Sequence, residues 1–126
     1  MKEITLHNKN FTIFIDENEI NNIISTLASK IEKTDIEKPL FIAILNGSFL
    51  FAADLMRKIN DLDAEISFLK LSSYDGLNTT GKVNELIGVS KKISGRNVVI
   101  LEDIIDTGIT LEKIILSLKK LDVNSI

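Results

Sequence analysis

Carboxylate and hydroxyl side chains come together in one stretch late in the chain, in an order that suits phosphate and metal chemistry. A run of apolar residues at 98–101 stops at two adjacent carboxylates, Glu102 and Asp103. Residues 106–110 then read Asp-Thr-Gly-Ile-Thr, and apolar residues recur at helical spacing over residues 111–118. The stretch therefore predicts a buried strand, an acidic tip, a tight loop and a helix.

The acidic tip and the tight loop favour different parts of one ligand. In an open parallel sheet, ligands bind beyond the carboxyl ends of the strands. A helix start with Gly108 and the hydroxyls of Thr107 and Thr110 offers N–H groups and the positive end of a dipole, which suits a phosphate. The carboxylates before it suit sugar hydroxyls or a hard divalent cation. The pattern indicates a phosphorylated sugar with a metal; an ordinary helix N-cap and solvated carboxylates are the alternatives from these residues alone.

This stretch resembles the phosphoribosyl pyrophosphate (PRPP) motif of the type I phosphoribosyltransferases, and its Glu-Asp-Ile-Ile-Asp-Thr-Gly segment is most similar to the hypoxanthine-guanine branch. The resemblance implies that Glu102 and Asp103 contact the ribose hydroxyls, one or both through Mg²⁺. It also implies that Asp106 faces the purine as general base, a role open to a carboxylate that is ionised at neutral pH. The implied ribose and 5′-phosphate residues are Glu102, Asp103, Asp106, Thr107, Gly108, Ile109 and Thr110.

A small-residue loop follows an earlier apolar run at residues 40–45. By the same resemblance, Leu45, Asn46 and Gly47 belong to the loop that holds pyrophosphate, and a non-proline cis peptide often joins the positions of Leu45 and Asn46. Many family members have Lys where this chain has Asn46, so one cation of that site is absent here. Taken without the resemblance, the loop is typical of any strand-to-helix turn.

A long segment without periodicity occupies residues 72–84. Ser73 and Tyr74 match the start of the family's mobile lid, which would exclude water from the reactive ribosyl centre. A loop of this length in a small domain is usually a lid, a binding loop or a disordered segment. The residues alone favour none of these three kinds of segment.

Alternating strands and helices predict the fold that positions these segments. Asp16 is placed as the N-cap of the first helix, and residues 123–126 resemble the start of a further strand. We expect a Rossmann-like parallel α/β sheet flanked by helices, as in type I phosphoribosyltransferases, forming one domain over residues 1–126 and incomplete at its C-terminus. The predicted strands are 11–15, 40–45, 64–71, 85–89 and 98–101, and the predicted later helices are 49–59 and about 107–121.

Composition excludes several classes of protein. The 126 residues carry a net charge of −3 with both signs interspersed, so the basic stripe of a nucleic-acid-binding protein is missing. The absence of cysteine excludes disulfides and thiolate metal sites. The N-terminus lacks the apolar core of a signal peptide, and no apolar run approaches the roughly 20 residues that span a bilayer. We therefore expect a cytoplasmic protein without a membrane partner.

The resemblance implies a purine salvage enzyme. It would transfer the phosphoribosyl group of PRPP to hypoxanthine or guanine, giving IMP or GMP and pyrophosphate, with Mg²⁺ as cofactor and a homo-oligomer, dimer or tetramer, as its assembly. The match runs over about residues 40–121. The family's later part has no counterpart in residues 1–126. By the resemblance, that part carries a Lys for the purine oxygen, a platform for the base and an Asp near a second metal, and it is the part that selects the purine.

Two other classes of protein share part of this pattern. A regulator that binds PRPP without catalysis would keep the same motif, but it would be expected to carry a basic DNA-binding face, which the sequence lacks. A receiver-like signalling domain would place its acidic pair after the first strand and a lone Asp two strands later. Here the whole acidic cluster follows one late strand, which counts against that domain.

Overall fold

The computed structural model describes residues 3–71, 85–87 and 92–126 of the chain. Within these ranges, no helix combines the length and the apolarity that crossing a membrane requires. The elements are, in chain order, β1 (Glu3–Leu6), β2 (Lys9–Thr12), α1 (Glu17–Glu32), β3 (Leu40–Leu45), α2 (Phe49–Lys58), β4 (Glu65–Leu71), β5 (Glu85–Ile87), β6 (Val98–Leu101) and α3 (Ile109–Lys119).

The main sheet has the strand order β5-β4-β3-β6. β3 pairs in parallel with both β4 and β6, which confirms the predicted parallel sheet flanked by helices. β5 pairs antiparallel with β4. The alternation of strands and helices did not indicate this direction, and the sequence between β4 and β5 lacks the helical periodicity that a parallel crossover requires.

β3 is the core strand, and its continuous apolar run is explained by packing on both of its faces. Leu40, Ile42 and Ile44 lie in one buried cluster together with Ile114 and Leu118 of α3. The alternate residues of β3 pack against α1 and α2 in a second cluster. Each large apolar side chain that is fully buried contributes about 1.5–3 kcal/mol to the stability of the fold. The sheet is therefore well stabilised next to the edge where β3 ends.

The first helix begins where the sequence predicts it. The N–H of Glu19 donates to Oδ1 of Asp16 over 2.8 Å, so Asp16 is the N-cap. Glu17 and Glu19 lie in the first turn, where negative charge complements the helix dipole. Ile24 and Ala28 are the buried residues of α1, and this face packs the helix on the sheet.

The predicted strand at residues 11–15 was wrong in its bounds and lacked its partner. β2 covers Lys9–Thr12 and pairs antiparallel with β1, from Leu6 opposite Lys9 to Glu3 opposite Thr12. The turn between them places His7 at a positive φ of 55°, as tight hairpins often require. The alternating pattern signals a β-forming segment but does not identify its partner strand.

The last residues of the chain lie parallel to β6. The N–H of Val98 donates to the carbonyl of Ser125 over 2.9 Å, and the N–H of Asn124 donates to the carbonyl of Arg96 over 2.9 Å. Asn97 and Ser125 form a parallel bridge. These bonds place residues 124–125 beside β6, where the sequence predicts a further strand, but they form a single isolated bridge and not a strand.

Candidate active site

Two loops leave the sheet side by side at its carboxyl edge. β3 and β6 are parallel neighbours, with Ala43 opposite Leu101. β6 ends there, whereas β3 continues two residues further to Leu45. The acidic tip, residues 102–103, therefore emerges next to the loop that follows β3, in the position where open α/β sheets bind ligands.

The loop after β3 is tied back to the strand. The peptide bond between Leu45 and Asn46 is cis, as the resemblance implies. Ser48 is fully buried, and both its N–H and its Oγ donate to the carbonyl of Ile44, over 3.2 and 2.5 Å. The N–H of Phe49 donates to the carbonyl of Asn46 over 3.2 Å, and α2 begins there. The loop is thus anchored from below, whereas Asn46 and Gly47 remain exposed at the edge.

The two loops touch through Gly47 and Asp103. A Cβ atom placed on Gly47 would lie 2.6 Å from Oδ2 of Asp103 and 2.8 Å from its Oδ1. The carboxylate of Asp103 therefore occupies the space that a side chain at Gly47 would need. The structure thus brings together one residue predicted to hold pyrophosphate and one predicted to hold ribose or metal.

Glu102 is half-buried and in contact with its neighbour. Its Oε1 accepts the backbone N–H of Asp103 over 3.2 Å. Burial raises the pKa of Glu102, and the side-chain hydrogen bond with Asp103 and the charge of Asp103 raise it further, against a smaller lowering by the backbone hydrogen bond. A positive charge at this tip would favour the ionised form of Glu102.

The donor set at the tip suits Mg²⁺ that arrives with a substrate. Mg²⁺ is usually held by one or two carboxylates, with substrate phosphates and water completing its shell. Glu102 and Asp103 offer that number. Over the described ranges, no group of three His, Cys, Asp or Glu residues is placed to hold a metal ion. The two carboxylates at the tip fit the protein share of a Mg²⁺ shell that a ligand completes.

The tight loop before α3 presents a helix start that lacks a side-chain cap. Gly108 has a φ of +80° and is the N-cap residue of α3. The N–H of Ile109 reaches Oγ1 of Thr107 only at 3.4 Å, which makes a weak hydrogen bond. The first N–H groups of a helix have no partner within the helix. Together with the exposed side chains of Thr107 and Thr110, this start can bind an anion.

A groove of about 940 Å³ adjoins the acidic tip along the outer side of β6. Its lining includes Glu102 and Ile105, together with Leu111 and Ile115 of α3. The remainder of its lining includes Val98, Val99 and Ile100 of β6 and residues 125–126. An apolar surface therefore continues from the predicted ligand site along the sheet edge.

The structure unites most of the predicted site residues. Gly47 and Asp103 are in contact, and the segments Leu45 to Gly47 and Glu102 to Thr110 follow the neighbouring parallel strands β3 and β6. Ser73 and Tyr74 lie outside the described residues. Sequence reasoning did not identify the anchoring role of Ser48; the signal that could have done so is a small hydroxyl residue directly before a helix.

Comparisons with known proteins place these features in context. Residues 15–126 match the phosphoribosyl transferase domain family. The chain is 41% identical over 107 residues to hypoxanthine phosphoribosyltransferase of Haemophilus influenzae, which covers 81% of this chain and 59% of that protein. It is 36% identical over 123 residues to a hypoxanthine-guanine phosphoribosyltransferase of Staphylococcus aureus, covering 96% of this chain and 68% of that protein.

Solved structures show the same likeness in three dimensions. A crystal structure of a hypoxanthine-guanine phosphoribosyltransferase from Bacillus anthracis superposes with a TM-score of 0.81 at 37% identity. The match covers 91% of this chain and 66% of that one. A hypoxanthine phosphoribosyltransferase from S. aureus gives a TM-score of 0.81 at 34% identity, covering 90% and 62%. The chain thus spans between 59% and 68% of the length of these relatives.

Proposed function

The chain belongs to the phosphoribosyltransferase family, in its hypoxanthine-guanine branch, and from that premise we propose that it transfers the phosphoribosyl group of PRPP to hypoxanthine or guanine. A purine ring nitrogen would attack C1 of the ribose, and the bond from C1 to pyrophosphate would break. The products would be IMP or GMP and pyrophosphate. The observation that carries the proposal is the contact of Asp103 with Gly47, which joins the two halves of the predicted PRPP site.

The 5′-phosphate would lie at the start of α3. The helix N-terminus supplies N–H groups and a positive dipole end, and Thr107 and Thr110 supply hydroxyl donors. The backbone of Asn46 and Gly47 would face the pyrophosphate. These two segments would grip opposite ends of PRPP, so the ribose would be held between them and oriented for attack at C1.

The carboxylates would divide the remaining work. Glu102 and Asp103 would accept hydrogen bonds from the ribose hydroxyls and hold Mg²⁺. When bound, Mg²⁺ would neutralise charge on the departing pyrophosphate. Asp106, which is exposed beside the loop, would accept the proton that the purine nitrogen loses as its bond to C1 forms.

We further propose a single domain over residues 1–126, a cytoplasmic location, and assembly as a homodimer or homotetramer. The family match over residues 15–126 supports the single domain. The exposed apolar side chains of Ile4, Leu6 and Phe11 on the β1–β2 hairpin support self-association, because such side chains are often covered by a partner.

Calorimetric titration with PRPP in Mg²⁺, followed by a purine-dependent turnover assay, tests the proposed function. Thr110→Ala should weaken PRPP binding by about tenfold, the expected loss for one hydrogen bond to a charged group. Asp106→Asn should leave PRPP binding within about twofold and slow turnover by about 10²–10⁴-fold.

Equal losses of binding and turnover in Asp106→Asn would contradict its role as base. PRPP binding without turnover at any purine would favour a PRPP-binding regulator instead. A chain that is folded by circular dichroism and binds no PRPP would refute the proposal for this chain.

A further inference from the structure

We propose that Gly47 is a positioning residue: its lack of a side chain sets the place of the Asp103 carboxylate, so the loop after β3 and the acidic tip of β6 act as one unit. This inference rests on the proposed function for its consequence in ligand binding. Its physical basis is the spacing at Gly47, where an added Cβ would lie 2.6 Å and 2.8 Å from the two oxygens of Asp103 and 2.9 Å from their carbon.

The conflict at Gly47 would be purely steric. Gly47 is not among the residues with positive φ, a group that includes Gly95 and Gly108. An alanine at position 47 therefore costs no backbone strain of the left-handed kind. The added methyl group and the Asp103 carboxylate, which supplies the three nearest atoms, would compete for space.

The side chain of Asp103, rather than the fold, would give way. Its residue is exposed, and its carboxylate is the far end of a side chain that can rotate. The loop on the other side is anchored, because Ser48 is fully buried and doubly bonded to the carbonyl of Ile44. Gly47→Ala should therefore keep the unfolding midpoint close to the wild-type value while displacing the carboxylate from its place between the two loops.

A double-mutant cycle separates this role from direct contact of Gly47 with pyrophosphate. The variants are Gly47→Ala, Asp103→Ala and the double variant, and the probes are PRPP in Mg²⁺ and a nucleoside monophosphate, which has ribose hydroxyls but no pyrophosphate. Gly47→Ala and Asp103→Ala should each weaken monophosphate binding by about tenfold, because a charge-assisted hydrogen bond to ribose would be lost. In the Asp103→Ala background, Gly47→Ala should cause little further loss of monophosphate binding.

Independent losses would overturn the inference. If Gly47→Ala weakens binding equally in both backgrounds, or leaves monophosphate binding unchanged, Gly47 acts on the ligand directly or not at all.

Ligand-free crystal structures of wild type and Gly47→Ala test the same inference without a ligand. The carboxylate should move away from residue 47 in the variant, and an unmoved carboxylate would refute the inference. A wild-type chain that binds neither ligand would refute the proposed function, and these crystal structures would still judge the role of Gly47.

Discussion

Gly108 and Gly95 form a matched pair for testing whether the loop before α3 binds the ligand. Gly108 has a φ of +80° and Gly95 a φ of +75°, and a Cβ added at either residue would meet no atom within 4 Å. Replacement by alanine therefore costs backbone strain and no steric clash at both positions. The two differ in place, because Gly95 precedes β6 at its amino end whereas Gly108 lies beyond its carboxyl end.

The expected loss of stability is the same for both alanine variants. An L-residue in the left-handed region costs about 1–2 kcal/mol. Part of this is offset because alanine has less freedom than glycine in the unfolded chain, which leaves about 1 kcal/mol. For a chain of this length, that corresponds to a fall in the unfolding midpoint of about 4 °C. Asparagine tolerates this region better, so Gly108→Asn should recover part of the loss.

The two variants should differ in ligand binding. Gly108→Ala should change the path of the backbone whose N–H groups are proposed to bind the 5′-phosphate, so PRPP binding in Mg²⁺ should weaken by about tenfold or more. Gly95→Ala should bind PRPP as wild type does. Urea unfolding followed by circular dichroism gives the stabilities, and calorimetry gives the affinities.

Two results would refute this reasoning. Equal weakening of PRPP binding in Gly95→Ala and Gly108→Ala would show that the loss follows from general destabilisation. Unchanged stability in Gly108→Ala would show that the loop does not need the left-handed conformation at Gly108.

Two further predictions concern charge at the site. Burial raises the pKa of Glu102 above its ordinary value of 4.5 in the folded chain. The folded state therefore binds the proton of Glu102 more tightly than the unfolded state does. As a result, the free energy of unfolding falls as pH rises from about 4.5 through the raised pKa. Glu102→Gln should therefore be more stable than wild type at pH 7 in thermal unfolding, with the gap closing below pH 4; a gap that widens in acid would contradict this. Asn46 is exposed, so Asn46→Lys should tighten PRPP binding by about fivefold, the effect of a screened charge near pyrophosphate, with a steeper salt dependence in calorimetry. Asn46→Gln is its neutral control, and equal tightening of a nucleoside monophosphate would show that the new charge does not act through pyrophosphate.

Features determined by neighbours in sequence were predictable. β3 matches the predicted strand at residues 40–45. A short continuous apolar run is typical of a strand that packs on both of its faces, so the run itself indicates the strand. The start of α1 at Asp16 follows from its side-chain oxygen and the acidic first turn. The strand, acidic tip, loop and helix of residues 98–119 were also predictable, because each has its signal in adjacent residues.

Features that depend on residues far apart in the chain were not predictable. β3 and β6 are neighbours although β4 and β5 separate them in sequence, and alternation of elements does not specify that order. The contact of Gly47 with Asp103 depends on this order and has no local signal. The β1–β2 hairpin was missed in part for the same reason, since the sequence of β2 does not identify its partner.

The anchoring of Ser48 divides the site into a stiff half and a loose half. The loop after β3 is bonded through Ser48 to a strand that is buried on both faces, so its opening costs these buried hydrogen bonds. The loop before α3 has exposed residues and one long hydrogen bond to Thr107. If the two loops hold the ends of PRPP as proposed, most of the conformational entropy lost on ligand binding would be lost by the loop before α3, because hydrogen bonds already order the loop after β3.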